Sequence, residues 1–162
     1  FTLDDIDPKD FLISDDNRTF ERKEEGWKGI KGNPIPSDRG IYRFSISIEK
    51  CDEYCCIMLG YCLNFHDGSS GFYNRNSLAM LSLNSGFIYN QKFENFRMPF
   101  RGTEGMIITA EIDTVAKNIS FFVNNYQIMH PVTFFIDNKD FYKICPCVDL
   151  KLPNNIIKIL RF

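Results

Sequence analysis

Residues 105–128, GMIITAEIDTVAKNISFFVNNYQI, constrain what this chain can fold into more than any other stretch. Ile108, Ala110 and Ile112 fall on one face of an extended chain and Thr109, Glu111 and Asp113 on the other, because successive strand side chains point to opposite sides. Residues 114–118 break the alternation with polar and small side chains. It then resumes with Ile119, Phe121 and Val123 against Ser120 and Asn124. Asn124-Asn125 follows, a pair able to take positive φ in a tight hairpin turn, and Tyr126 and Ile128 open the next strand. The pattern is a β-meander, and it places the chain among all-β domains.

Other segments agree. Tyr42, Phe44, Ile46 and Ile48 alternate with Arg43, Ser45 and Ser47 in strict period two. Residues 56–63, CIMLGYCL, form a continuous apolar run fit for a strand buried on both faces. Further strands are expected at 11–13, 19–23, 78–83, 142–148 and 156–162, with a hairpin at 85–90, the apolar triplet Phe134-Phe135-Ile136, and a turn at 137–140. Residues 1–10 read as an extended lead-in. Three long connections remain, at 24–38, 64–76 and 91–103. In the first, Gly26, Gly29, Gly32, Pro34 and Pro36 argue against regular structure. There is no long amphipathic helix, repeat or low-complexity tract. Strands at regular intervals with turn clusters between them predict a two-layer antiparallel β-sandwich with little or no helix.

Sixteen Phe against a single Trp supply much of the expected core. A net charge of −2 argues against nucleic acid, which needs clustered Lys and Arg. No apolar run approaches the ~20 residues of a membrane span. The chain starts at Phe1 without a signal-like segment, so residues 1–162 are expected to be one domain cut from a longer protein. Six Cys raise the question of metal or disulfides. Cys51-x₃-Cys55 passes as one zinc knuckle, but Cys145-x-Cys147 is a poor second. On a strand Cys145 and Cys147 share a face, whereas Cys55 and Cys56 oppose each other. Small buried thiols of a reducing, cytoplasmic compartment are the favoured reading. Two Asn-x-Ser/Thr sequons, at Asn17 and Asn118, are taken as chance in an Asn-rich chain.

Catalytic readings fare poorly. His66-Asp67-Gly68-Ser69-Ser70 contains the residue types of a triad, but sequence-adjacent members do not face one another usefully. His130 before Pro131 reads as a strand-end residue. Glu111 and Asp113 share a strand face, though glycoside chemistry needs two acids flanking a cleft. No nucleophile elbow, paired zinc histidines or phosphate-cradling glycine loop is present. The chain is expected to be no enzyme and to use no cofactor or metal.

The order of these segments resembles the SPRY domain family. The meander is similar to the family's run of Gly, apolar strand ending in Ile-Asp, turn, and Ile-x-Phe-x-x-Asn-Gly, with Met106 in place of an acidic residue and Asn125 in place of Gly. Arg39-Gly40-Ile41-Tyr42-Arg43-Phe44 resembles the family's Tyr-Trp strand, with Phe44 where Trp is common. Leu59-Gly60-Tyr61, Ser85-Gly86-Phe87-Ile88-Tyr89-Asn90 and Ile144-Cys145-Pro146-Cys147-Val148 match in order. The resemblance spans nearly the whole chain and implies a concanavalin-like jelly roll of the PRY-SPRY type.

It also implies a role. SPRY domains of ubiquitin-ligase adaptors and scaffold proteins use loops at the end of the sandwich as a shallow, preformed site for short partner segments. By that likeness, Thr19-Phe20-Glu21-Arg22 carries the binding Arg at Arg22, Gly71-Phe72-Tyr73 offers Phe72 or Tyr73, and Lys151 and Leu152 fall where an aromatic wall is usual. Trp27 and Arg101 join the set, as Arg and surface aromatics dominate binding hot spots. Each has a structural alternative: Arg22 as a solvated strand-end charge, Phe72 or Tyr73 as caps on the core, and Trp27 as the anchor of a long loop. The expected function is a monomeric protein-interaction module binding a protein or peptide. A lectin-like carbohydrate binder and a purely structural domain of a larger assembly are the alternatives.

Overall fold

Strand β4, Ile41–Lys50, is the longest element, and its pattern shows how the sheets are built: Phe44, Ile46 and Ile48 are buried while Arg43, Ser45 and Ser47 face outward. The computed structural model describes residues 6–14, 16–36, 40–64, 71, 77–90, 96–97 and 99–161. Before β4 come β1 (Phe11–Ile13), β2 (Thr19–Arg22) and β3 (Lys28–Lys31). After it come β5 (Ile57–Leu63), β6 (Ser77–Ser82), β7 (Phe87–Asn90) and β8 (Phe96–Arg97). The meander is β9 (Ile107–Asp113), β10 (Asn118–Val123) and β11 (Tyr126–Gln127). Then follow β12 (Val132–Thr133), a 3₁₀ helix at Asn138–Lys143, β13 (Ile144–Leu150) and β14 (Ile156–Arg161).

Two antiparallel sheets result. One has eight strands in the order β1-β2-β14-β4-β9-β10-β11, with β12 beside β10. The other has six, ordered β3-β13-β5-β6-β7-β8. Among the described residues there is no α-helix, and the architecture is the expected two-layer sandwich.

The core lies between the sheets. Ala110 sits opposite Phe44 on β4 and Phe121 on β10, so a small residue separates two large buried rings within one layer. From the facing sheet Tyr61 reaches across. Its ring meets Phe44 edge-on at 5.5 Å, and its hydroxyl donates to Tyr42 O at 3.0 Å, with Ala110 O at 3.3 Å as a second acceptor. One phenol thus ties both layers together, and burial pushes its ionisation far up. Gly60, beside it, is required by proximity: a Cβ there would stand 1.9 Å from Ala79 O.

A second cluster forms on the opposite face of the six-stranded sheet. Met58, Cys62, Met80, Cys145 and Cys147 pack there, with Trp27 and Tyr89 against them. Cys145 and Cys147 do share a face, and all six cysteines are free thiols, four of them buried. The meander turns form as their residue types require. Asn124 and Asn125 have φ of 48° and 70°, and Asp113 Oδ1 accepts from Val115 N and Ala116 N, both at 2.8 Å.

Three expectations need correction. The 24–38 connection contains β3, which pairs along β13 from Lys31↔Cys147 to Lys28↔Leu150. Its glycine is tolerated because β13 supplies the ladder and Ile30 the fully buried anchor. Strand β13 begins at Ile144 rather than 142, because the 3₁₀ helix occupies the residues before it. The lead-in is not wholly extended: Asp10 N donates to Asp7 O at 2.9 Å, closing a turn, and Ile6 is buried in the core.

Candidate functional site

Strand register decides which loops meet. Leu150 at the end of β13 lies opposite Ile57 at the start of β5 and Lys28 at the start of β3. In the other sheet Ile156 at the start of β14 lies opposite Lys50 at the end of β4. The connections 23–27, 51–56 and 151–155 each cross between the sheets at this end. The β6–β7 turn joins them, since Ser82 is opposite Met58, and so does the segment before β9, since Ile107 is opposite Ser47.

These connections are bonded into one surface. Gly26 N donates to Lys151 O at 2.8 Å, and Lys151 N donates to Cys56 O at 3.1 Å. Asn155, fully buried, offers Nδ2 to the same Cys56 oxygen at 3.4 Å. Asn84 Nδ2 donates to Tyr54 O at 2.6 Å and lies 3.6 Å from Cys56 Sγ. Arg101 Nη1 donates to Glu53 O at 3.0 Å, and Gly102 N to Leu83 O at 2.8 Å. The backbone of this end is therefore tied together by its own hydrogen bonds, and side chains project from that frame.

Five of the expected site residues lie at this end. Arg101 is exposed, while Lys151 and Leu152 are half-buried on the β13–β14 turn. Burial and Asp52 push the Cys56 thiol up, and the nearby Lys151 ammonium opposes them. Trp27 is level with Lys151 across the β3–β13 pair but leans on the sulfur-rich cluster, as an anchor would. Tyr54 belongs with them and escaped the sequence reading. Half exposed beside Arg101, it sits in the run Cys51-Asp52-Glu53-Tyr54-Cys55-Cys56, where no sequence pattern marks it as exposed.

Arg22 is at this end too, but it faces inward. Only 2% exposed, it donates Nη1 to Asp10 O at 2.6 Å and Nε to Gly26 O at 3.2 Å, and pairs with Asp10 Oδ1 at 3.3 Å. Its guanidinium stacks 5.4 Å from the Phe11 ring centroid, and Lys28 shares Asp10 through Oδ2 at 3.1 Å. The resemblance implied a binding arginine, and the sequence alone a solvated charge as alternative. The side chain is placed as neither: it ties the lead-in and the β2–β3 loop to the end of β2.

Phe72 and Tyr73 lie outside the described residues, as does the His66–Ser70 run. The strands that lead to them end at Leu63, opposite Ile144, and restart at Ser77, opposite Cys62, which is the far end of the six-stranded sheet from Leu150. At that far end a cavity of about 850 Å³ opens between the layers, walled by Pro34, Ile35, Ile41, Phe44, Tyr61 and Pro146. Of the two carboxylates on β9, Glu111 is ion-paired with Arg43, and Asp113 is held by backbone N–H groups. Among the described residues no three His, Cys, Asp or Glu side chains assemble as metal ligands.

No protein-family model and no curated protein matches the sequence. Solved structures do match in fold. A human SPRY domain superposes with a TM-score of 0.71 at 15% identity, covering 93% of this chain and 94% of its own. The SPRY domain of human HERC1 gives 0.64 at 20% identity, with coverages of 96% and 97%. The PSpry domain of TRIM65 gives 0.63 at 12% identity, with 94% and 86%. The chain has the SPRY fold over nearly its whole length.

Proposed function

We propose that this SPRY-fold chain is a non-catalytic protein-interaction module that binds a peptide or loop of a partner protein through the Lys151 end of its sandwich. The carrying observation is the hydrogen-bonded loop surface there, from Gly26 through Lys151, Cys56, Asn84 and Tyr54, with Glu53 O holding Arg101. A surface fixed before binding loses little conformational entropy on association. It presents an aromatic and a guanidinium, Tyr54 and Arg101, the side-chain types that dominate hot spots, with Lys151 and Leu152 beside them. SPRY domains generally serve as interaction modules, and this reading rests on that analogy of fold together with the site.

In this reading the domain recruits a substrate or acts as a scaffold within a longer protein in a reducing compartment, where free thiols persist. The test is comparative capture. The immobilised chain, an Arg101→Ala/Tyr54→Ala variant and a far-end Phe135→Ala control are exposed to the same lysate, and bound proteins are quantified by mass spectrometry. The reading requires a partner that is retained by the chain and by Phe135→Ala and lost from the double variant. Equal retention on all three would remove the Lys151 end as the site.

A further inference from the structure

The end of the sandwich away from Lys151 holds a cavity that partner binding does not call on. It opens where β4 begins: Ile41 pairs with Asp113 there, while Lys50, at the other end of the same strand, pairs with Ile156. At about 850 Å³ it falls within the ~300–1,000 Å³ range of small-molecule sites. Its floor is the T-shaped pair Phe44 and Tyr61, two rings 5.5 Å apart that belong to facing sheets and are each 1% exposed. Its mouth carries Ile41, which is 60% exposed. The cavity thus runs from open solvent to the aromatic centre of the core.

The wall is rigid and apolar. Pro34, Pro36 and Pro146 line it, each with φ fixed by its ring. The segment after β3 is tied to β13 beside them, with Gly32 N donating to Pro146 O and Ile35 N to Ile144 O, both at 2.8 Å. An extended peptide would need backbone donors along such a wall. The prolines have none, and that of Ile35 is already committed. The polar groups at hand are committed as well. The Tyr61 hydroxyl donates to Tyr42 O at 3.0 Å, with Ala110 O at 3.3 Å as its second acceptor. Arg43, at the rim, is ion-paired with Glu111 and lies 5.5 Å from the Phe122 ring centroid. An anion would have to displace Glu111, and a cation would lose its hydration for an apolar wall.

We propose that this cavity binds an uncharged aromatic small molecule, packed against the Phe44–Tyr61 pair. Apolar burial supplies the affinity, and two perpendicular rings offer a flat guest both an edge and a face. The prolines hold the wall open, so little of that affinity is lost to ordering the site. The site is independent of the proposed partner surface, because its walls come from residues 33–36 and 41–44, Tyr61 and Pro146, none of which belongs to the loops at the Lys151 end.

The experiment titrates the isotope-labelled full chain with three ligands that share one ring system: naphthol, uncharged at neutral pH, anionic naphthoate and cationic naphthylmethylamine. Naphthol should give saturable amide shifts at Ile35, Tyr42, Phe44 and Tyr61, and the charged analogues should bind more weakly by about tenfold or more. Ile41→Gln, at an exposed position that spares the core, should weaken naphthol about fivefold with an unchanged urea midpoint, whereas Tyr54→Ala at the other end should leave naphthol binding as it is. No saturable shift up to the solubility of naphthol, shifts centred on other residues, equal binding of all three ligands, or undiminished binding by Ile41→Gln would each overturn the proposal. So would shifts of these amides by a protein partner's segment while naphthol leaves them unmoved, which would assign the cavity to an apolar side chain of that partner.

Discussion

Replacing Arg22 by Met keeps the length and most of the volume of the side chain while deleting its charge and donors. Three contacts go: Nη1 to Asp10 O at 2.6 Å, Nε to Gly26 O at 3.2 Å, and the ion pair to Asp10 at 3.3 Å. Removing one partner of a fully buried ion pair costs roughly 3–5 kcal/mol, because the other charge is stranded. Here Asp10 retains Lys28 at 3.1 Å, and Asp10 O retains the Lys23 N–H at 3.0 Å, so neither is orphaned. Asp10 O and Gly26 O each lose the side-chain donor that Arg22 supplied. Hydrogen bonds involving a charged group contribute ~1.5–3 kcal/mol each at good geometry, and two of these three are long. The expected loss is therefore about 2–4 kcal/mol. At ~2–4 °C per kcal/mol for a domain of this size, Tm should fall by about 5–15 °C. Urea unfolding monitored by Trp27 fluorescence measures it, with the slope unchanged because the same surface is exposed. A variant within ~0.5 kcal/mol of the parent would show that Arg22 does not hold the lead-in, and the inward reading of this residue would fail.

Gly60→Ala places a methyl 1.9 Å from Ala79 O, a backbone atom that cannot rotate away, and should cost more than ~3 kcal/mol or abolish soluble expression. Tyr61→Phe removes the hydroxyl that bridges the sheets and should cost ~1–2 kcal/mol in the same assay. Stability should also decline in alkali. The folded thiols of Cys51, Cys55, Cys56 and Cys147 are raised above 9.0, so their contribution is complete below pH 9 and is lost as pH rises past the unfolded value. Urea midpoints at pH 8, 9 and 10 in reductant should fall progressively, and a flat profile would contradict their burial. Asn125→Val, at φ of 70°, should destabilise the β10–β11 hairpin by ~1–2 kcal/mol, whereas Asn125→Gly should be neutral or better, as seen in thermal melts.

Much of the fold was legible because some strands carry their own pattern. Period two in β4 and the β9–β10 meander, and the unbroken apolar run of β5, encode burial directly in residue order. Strand β3 carries no such pattern: its single apolar side chain, Ile30, becomes meaningful only beside β13, which is distant in sequence. Where the named side chains lie, and which way they face, depends on contacts distant in sequence. Lys151 and Leu152 were named through the family likeness and Arg101 by residue type, and only the strand register brings the three to one end; what Arg22 faces depends on Asp10 and Gly26 O, brought to it by separate turns. Nothing in the run Thr19-Phe20-Glu21-Arg22 distinguishes a charge aimed outward from one aimed in. Tyr54 shows the converse, since exposure of a lone aromatic between cysteines is settled only by the turn from Asp52 to Cys55.

Partner binding at the Lys151 end of the sandwich, as proposed, is open to direct measurement. Backbone amide chemical shifts of the isotope-labelled chain, followed while a captured partner's binding segment is titrated in, test it most directly. Perturbations should concentrate at residues 24–27, 51–56, 83–86, 99–106 and 151–155, with affinity falling by ~1–3 kcal/mol when Tyr54 or Arg101 is replaced by Ala. Perturbations centred instead on residues 33–36, 41–44 and 133–137, around the far-end cavity, would contradict it.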